Sequence, residues 1–396
     1  MNSDLVFMLR LLCGVITQSG LPEEAQNTDW NKILEVSKRH NITNIIGYGV
    51  MSGKYNLPET IKTEFLKAVS GAIQFDTIQQ NAIGEIFNRF EKKGIDYMPL
   101  KGTILKKMYP QSDMRIMSDA DILIKKEDYE AAQKVMADLE YTFVGESDHE
   151  FNFKKEPFIR IELHKHLVPS YNEDLYAYYG DGWKLAKKCE NTCRYELSNE
   201  DFYIYLFVHF AKHYRDAGVG IKHILDLWLY TKKVPELDLE YVSKQLASMN
   251  LGVFFNNICT MMECWFEDRE YDELSKEITG FIVSSGVFGH LKNSASAATI
   301  RNLMDRDITK AGKNKYLNLI FPSFIYMKQI FPILEKVPAL LPLMWIVRLV
   351  KGVLFKRENI SHHVNKTNSV DDEYIKKYME HMSAAGIDIY NGRKKS

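Results

Sequence analysis

Cysteine, charge excess of either sign and long apolar runs are all scarce in this 396-residue sequence. Five cysteines, an odd number in a long chain, make no disulfide scaffold and fit a reducing cytosol. With 51 basic against 52 acidic side chains the net charge is -1, which gives no global electrostatic reason to bind nucleic acid and leaves only a local basic patch for that role. The most apolar stretch, residues 337–347, is shorter than the ~20 residues a membrane-spanning helix needs, and Pro338 and Pro342 interrupt it. At the start, Met1-Asn2-Ser3-Asp4 puts an acid where a signal peptide wants lysines, and no small-residue cleavage site follows Leu11-Leu12-Cys13. There is no internal repeat, low-complexity tract or long linker. The apolar fraction of 45% is that of a globular protein, and the length suggests two or three packed units. A soluble, cytoplasmic protein is expected.

Periodicity divides the chain into three regions. Residues 1–93 read as helices. Asp29 is an N-cap candidate ahead of Trp30-Asn31-Lys32-Ile33-Leu34. From Gln74 to Lys93, Ile78, Ala82, Ile86 and Phe90 form a stripe widened by Ile83 and Phe87, and Gly94 stands in C-cap position. Residues 94–170 form an α+β core. A short strand before Leu100 enters the Lys101-Gly102 turn, a second strand covers 119–124, a helix covers 127–140, and three segments between 141 and 163 suggest antiparallel strands. Residues 171–396 return to a helical pattern. The expected fold is therefore α+β and predominantly helical, with a small mixed or antiparallel sheet between two helical regions.

The carboxylates of the middle region carry the chemistry. Asp119 and Asp121 are two apart on a predicted strand and leave the same face, while Ala120, Ile122 and Ile124 point into the core. Their mutual repulsion raises one pKa unless a cation neutralises the pair, so Asp121→Asn is expected to leave stability unchanged or higher. Oxygen ligands suit a hard ion such as Mg2+. On Phe158–His164, Ile159, Ile161 and Leu163 make one face, and Arg160, Glu162 and His164 the other. If the two strands are neighbours, Glu162 is a third carboxylate, and three carboxylates can hold two metal ions. A solvated acidic strand end explains the bare Asp-Ala-Asp equally well. Lys101-Gly102-Thr103 sits at a strand-to-helix turn, where backbone N–H groups can approach an anion and Lys101 adds a charge. Lys-Gly is also a common turn dipeptide, and the P-loop spacing is absent.

Leu100-Lys101-Gly102, Tyr109-Pro110, Arg115, Ser118-Asp119-Ala120-Asp121-Ile122-Leu123-Ile124 and Ile161-Glu162-Leu163-His164 together resemble the uncharacterised bacterial nucleotidyltransferase family of the polymerase-beta-like superfamily. The later Phe-Val-His209-Phe-Ala-Lys-His213 and Ile-Leu-Asp226-Leu resemble it too. The resemblance implies that Asp119 and Asp121 are the metal-binding pair, Glu162 the third catalytic carboxylate, and Gly102 the turn glycine beside the triphosphate. Lys101 and Thr103 would join Gly102 in binding the nucleotide, Thr103 in place of the superfamily's usual Ser or Gly. The implied reaction moves a nucleoside monophosphate from an NTP to an acceptor hydroxyl and releases pyrophosphate, with Mg2+ or Mn2+ as cofactor. The acceptor is not named by the resemblance.

His209 and His213, four apart on a helix, lack the glutamate of a zincin motif and read first as structural histidines, with a place beside the nucleotide cleft as the sharper reading. His164 reads as a surface strand histidine or a carboxylate partner. Tyr203, Tyr205, Phe207 and Phe210 read as core. The segment 321–357, with four prolines and Lys336, Arg348, Lys351, Lys356 and Arg357, contains a basic amphipathic helix. It is expected to cover the core; contact with anionic lipid or a protein partner is the other reading. Two further classes stay open: a non-catalytic nucleotide-binding or regulatory protein on the same scaffold, and a membrane-surface protein that works through the C-terminal helix.

Overall fold

In the computed structural model, the described residues are 3–24, 27–170 and 172–287, with parts of 289–355 and of 372–388. Four helices come first: α1 (Ser3–Thr17), α2 (Trp30–Arg39), α3 (Thr43–Ser52) and the 35-residue α4 (Glu59–Lys93). Asp29 caps α2 by accepting from the Lys32 amide, and Gly94 ends α4 at φ 69°, a left-handed conformation that disfavours any side chain. The stripe expected on α4 is rotated. Ile78 is 40% exposed, and the inward face runs through Gln79, Ile83, Ile86 and Phe90. Burying Gln79 is possible because its amide donates to the Met117 carbonyl, 3.2 Å away.

The middle region follows as β1 (Tyr97–Pro99), the single turn α5 (Gly102–Leu105), β2 (Ala120–Ile124), α6 (Tyr129–Asp138), β3 (Thr142–Glu146), β4 (Glu150–Lys155) and β5 (Ile159–His164). The sheet order is β1-β2-β5-β4-β3. Three expected strands are present, but β5 is antiparallel only to β4; its other neighbour, β2, runs parallel to it. A parallel pair needs a crossover, which α6 and the β3–β4 hairpin supply.

One face of the sheet, through Ala120, Ile122, Ile124, Ile159, Ile161 and Leu163, packs on α6 and the end of α4 in one apolar cluster. A larger cluster joins α1–α3, Leu100, Leu123 and the helices that follow.

Those helices are α7 (Glu173–Tyr179), α8 (Asn199–Asp216), α9 (Ile221–Lys233), α10 (Leu239–Ser248), α11 (Gly252–Phe266) and α12 (Glu273–Ser285), with a small hairpin of β6 (Lys187–Lys188) and β7 (Tyr195–Glu196) that periodicity did not reveal. Tyr203, Tyr205, Phe207 and Phe210 are buried in α8, as expected. The helix Asp372–Ala385 packs through Tyr378, Met382 and Ala385. The helix Leu341–Phe355 behaves differently from expectation. None of its residues 341–348 is buried, and Leu343 and Ile346 are 51% and 59% exposed. Apolar composition alone did not bring that stretch to the core. Lys356 and Arg357, part of the expected basic face, lie outside the described residues.

Candidate active site

The sheet face opposite α4 and α6 is polar for three strands. In the parallel register Asp121 of β2 stands beside Glu162 of β5, and Leu123 beside His164. In the antiparallel register Asn152 of β4 stands beside Glu162, and Glu150 beside His164. Strand alternation thus puts Asp121, Glu162, His164 and Glu150 on one surface. That surface lines a cavity of about 400 Å3, of a size usual for small-ligand sites. Asp119, in the bend just before β2, lines it as well.

The acids do not stand unopposed. Lys101 Nζ donates to Asp121 Oδ1 at 2.7 Å, and His164 Nε2 donates to the same oxygen at 2.8 Å. His164 Nε2 also lies 3.5 Å from Glu162 Oε2. Burial pushes the Asp121 carboxyl upward, but the Lys101 and His164 charges outweigh it and hold the group well below the usual range. Burial likewise works against the His164 cation, yet its bonds to Asp121 and Glu162 raise it to about 9, so it is an imidazolium at neutral pH. His164 is 3% exposed and is no surface histidine. Asp119 has the opposite lot: burial first, then repulsion from Asp121 and Glu162, raise it to about 6. Beyond them, His149 Nε2 lies 2.9 Å from Glu150 Oε2, a contact that overcomes burial and keeps Glu150 near 2.

The turn that carries Lys101 is strained. Its backbone sits at φ 43° and ψ -117°, a conformation side chains disfavour. Gly102 lines the cavity, and a Cβ there would meet Met117 Sδ at 2.4 Å, so any side chain would force Met117 to shift. Thr103 does not reach the cavity lining, and its hydroxyl is buried without a hydrogen-bond partner. The structure therefore brings together Asp119, Asp121, Glu162, Lys101 and Gly102, and leaves Thr103 aside.

Helices α8 and α9 close the cavity from the other side with Lys212, His209 and His213 on α8 and Lys222 and His223 on α9. His209 and His213 thus line the same cavity as the carboxylates. The closure is anchored by Asp226, whose Oδ1 accepts from Tyr109 Oη and Arg115 Nε, each at 2.7 Å, with both donors buried. Sequence reasoning missed Glu150 and the lysines. Glu150-Phe151-Asn152-Phe153 carries the same in–out alternation as the flanking strands, so the signal for Glu150 was present; nothing local marks Lys212 or Lys222.

Asp121, Glu162 and His164 offer ligand atoms that all lie within 4.8 Å of one another, as do His149, Glu150 and His164. The two carboxylates suit a hard divalent cation, and the His164 ring could join them only after giving up its Nε2 proton. A family model described as "Uncharacterised nucleotidyltransferase" matches residues 26–267. The chain belongs to this uncharacterised nucleotidyltransferase family. The match runs from the segment before α2 to the end of α11 and includes every cavity residue named above. No curated protein and no solved structure matches the chain. Membership makes nucleotidyl transfer its general reaction, with an NTP as substrate, and such transferases typically use divalent metal. Among the described residues no helix is long and apolar enough to cross a membrane.

Proposed function

We propose that this nucleotidyltransferase moves a nucleoside monophosphate from an NTP to an acceptor hydroxyl and releases pyrophosphate. The observation that carries the reading is the β2–β5 register, which sets Asp121 beside Glu162 in the cavity that Lys101 and Gly102 also line. Asp119, Asp121 and Glu162 would hold a divalent cation, Mg2+ or Mn2+, whose charge serves the triphosphate and the leaving pyrophosphate. Glu162, whose side chain remains partly exposed at 23%, would accept the proton of the attacking hydroxyl. Lys101 donates to the nucleotide's phosphates as well as to Asp121, and Gly102 lets the chain pass close to them. Catalysis then rests on positioning and charge stabilisation, with no covalent intermediate on the protein.

The test is label transfer. Each of four α-labelled NTPs is incubated with the protein, Mg2+ or Mn2+, and cell lysate, and label incorporation is followed. Label is expected on one class of acceptor, and Asp121→Asn should lower turnover at least about a hundredfold. Absence of transfer with every nucleotide, together with no Mg2+–NTP-dependent shift in melting temperature, would overturn catalysis in favour of a non-catalytic scaffold.

A further inference from the structure

The α8–α9 wall has an unusual composition for the inside of a protein. Five basic side chains face one cavity from these two helices, while its acids, apart from Asp226, come from the sheet side. Lys222 is 6% exposed, and its Nζ makes a long 3.4 Å hydrogen bond to the Ile116 carbonyl. His223 Nδ1 is buried without a partner. The His209 and His213 rings pack on each other at 4.4 Å, and His213 lies 6.4 Å from His223. Across the cavity, Lys101 is already committed to Asp121.

We propose that Lys212, His213, Lys222 and His223 form a phosphate-binding subsite. The ligand is a phosphate or polyphosphate group, carried either by the NTP tail or by the acceptor. The inference rests on the nucleotidyl-transfer reading for that ligand class, since both substrates of such a reaction can bear phosphate. Its physical basis is independent of the metal site. A buried polar atom without a partner costs free energy, which is the position of His223 Nδ1 at the wall of this cavity. Burial and the neighbouring Lys101 push Lys212 down, burial and Arg115 push Lys222 down to about 7, and burial with Lys212 holds His213 well below its usual value. An anion in the cavity would accept from these groups and favour their charged forms.

The experiment titrates the full chain with inorganic pyrophosphate in EDTA, by calorimetry, so that neither metal nor turnover is involved. Wild type should bind, and Lys212→Gln and His213→Gln should each weaken binding about tenfold, while Lys233→Gln on the exposed end of α9 should not. If either cavity variant misfolds, imidazole NMR signals of wild-type His213 and His223 should still move on adding pyrophosphate. Two further arms name the source. A loss of NTP affinity without loss of monophosphate affinity in Lys212→Gln assigns the subsite to the nucleotide tail; unchanged NTP affinity beside weakened pyrophosphate binding assigns it to a phosphorylated acceptor. No pyrophosphate binding by wild type, or binding that both cavity variants leave intact, overturns the subsite without touching the transferase reading.

Discussion

Asp121 shows how far local reasoning reaches. From sequence, two acids on one strand face repel, and neutralising one should cost nothing. In the fold Asp121 is the shared acceptor of Lys101 and His164, so the sign reverses. Asp121→Asn leaves the buried His164 and the partly buried Lys101 short of their counter-ion and should destabilise the metal-free protein by about 3 kcal/mol, read by urea unfolding in EDTA. An equal or higher stability would restore the repulsion picture. The backbone of Lys101 permits a second test at the same residue. Lys101→Ala and Lys101→Gly both remove the ammonium, but only glycine relaxes the positive φ, so Lys101→Gly should be the more stable by about 1 kcal/mol. Identical stabilities would mean that the turn carries no strain.

At the scale of elements, two long-range ties position the site: the β2–β5 register and the hold of Asp226 on Tyr109 and Arg115. Asp226→Leu leaves the Arg115 charge buried and unpaired, with an expected loss of about 3–5 kcal/mol. Arg115→Met added to Asp226→Leu should recover a good part of that loss, measured as a double-mutant cycle; additive losses would mean that the pair is not coupled. The strands themselves were legible, because alternation at 158–164 and beside Asp121 sorts core from cavity without any knowledge of partners. Caps at Asp29 and Gly94 were legible for the same reason, being local chemistry. Pairing was not. That β5 runs parallel to β2, that Glu150 meets His164, and that Lys212 and Lys222 arrive from two helices are facts of tertiary contact, and no spacing encodes them. Ile78 was misread because the α4 stripe depends on which face meets Met117, where a buried glutamine displaces an isoleucine.

Over the whole molecule, His40 joins the N-terminal helices to the rest. Its Nδ1 accepts from the Ile221 amide and its Nε2 donates to the Val283 carbonyl, each at 3.1 Å. Burial, assisted by Arg39, lowers His40 to about 4, so its neutral form belongs to the folded state. The folded pKa is depressed below the unfolded one; stability is complete above pH 6.5 and is lost as pH falls towards 4. From pH 7 to 5 this one group should cost about 2 kcal/mol, and His40→Gln, though less stable at pH 7, should flatten that part of the pH profile. An unchanged slope in the variant would assign the acid sensitivity to other buried histidines. The large apolar cluster holds Phe7 and Met8 together with Ile258 and Met262, and the Cys13 thiol reaches the Phe266 carbonyl, 253 residues downstream. Protein synthesis therefore delivers α1 long before the α11 surface it packs against. Phe7 finds Trp30 and Tyr55 early, but the part of α1 that meets α11 waits through that interval, so a message truncated before α11 should leave that surface uncovered and its product prone to being held or degraded.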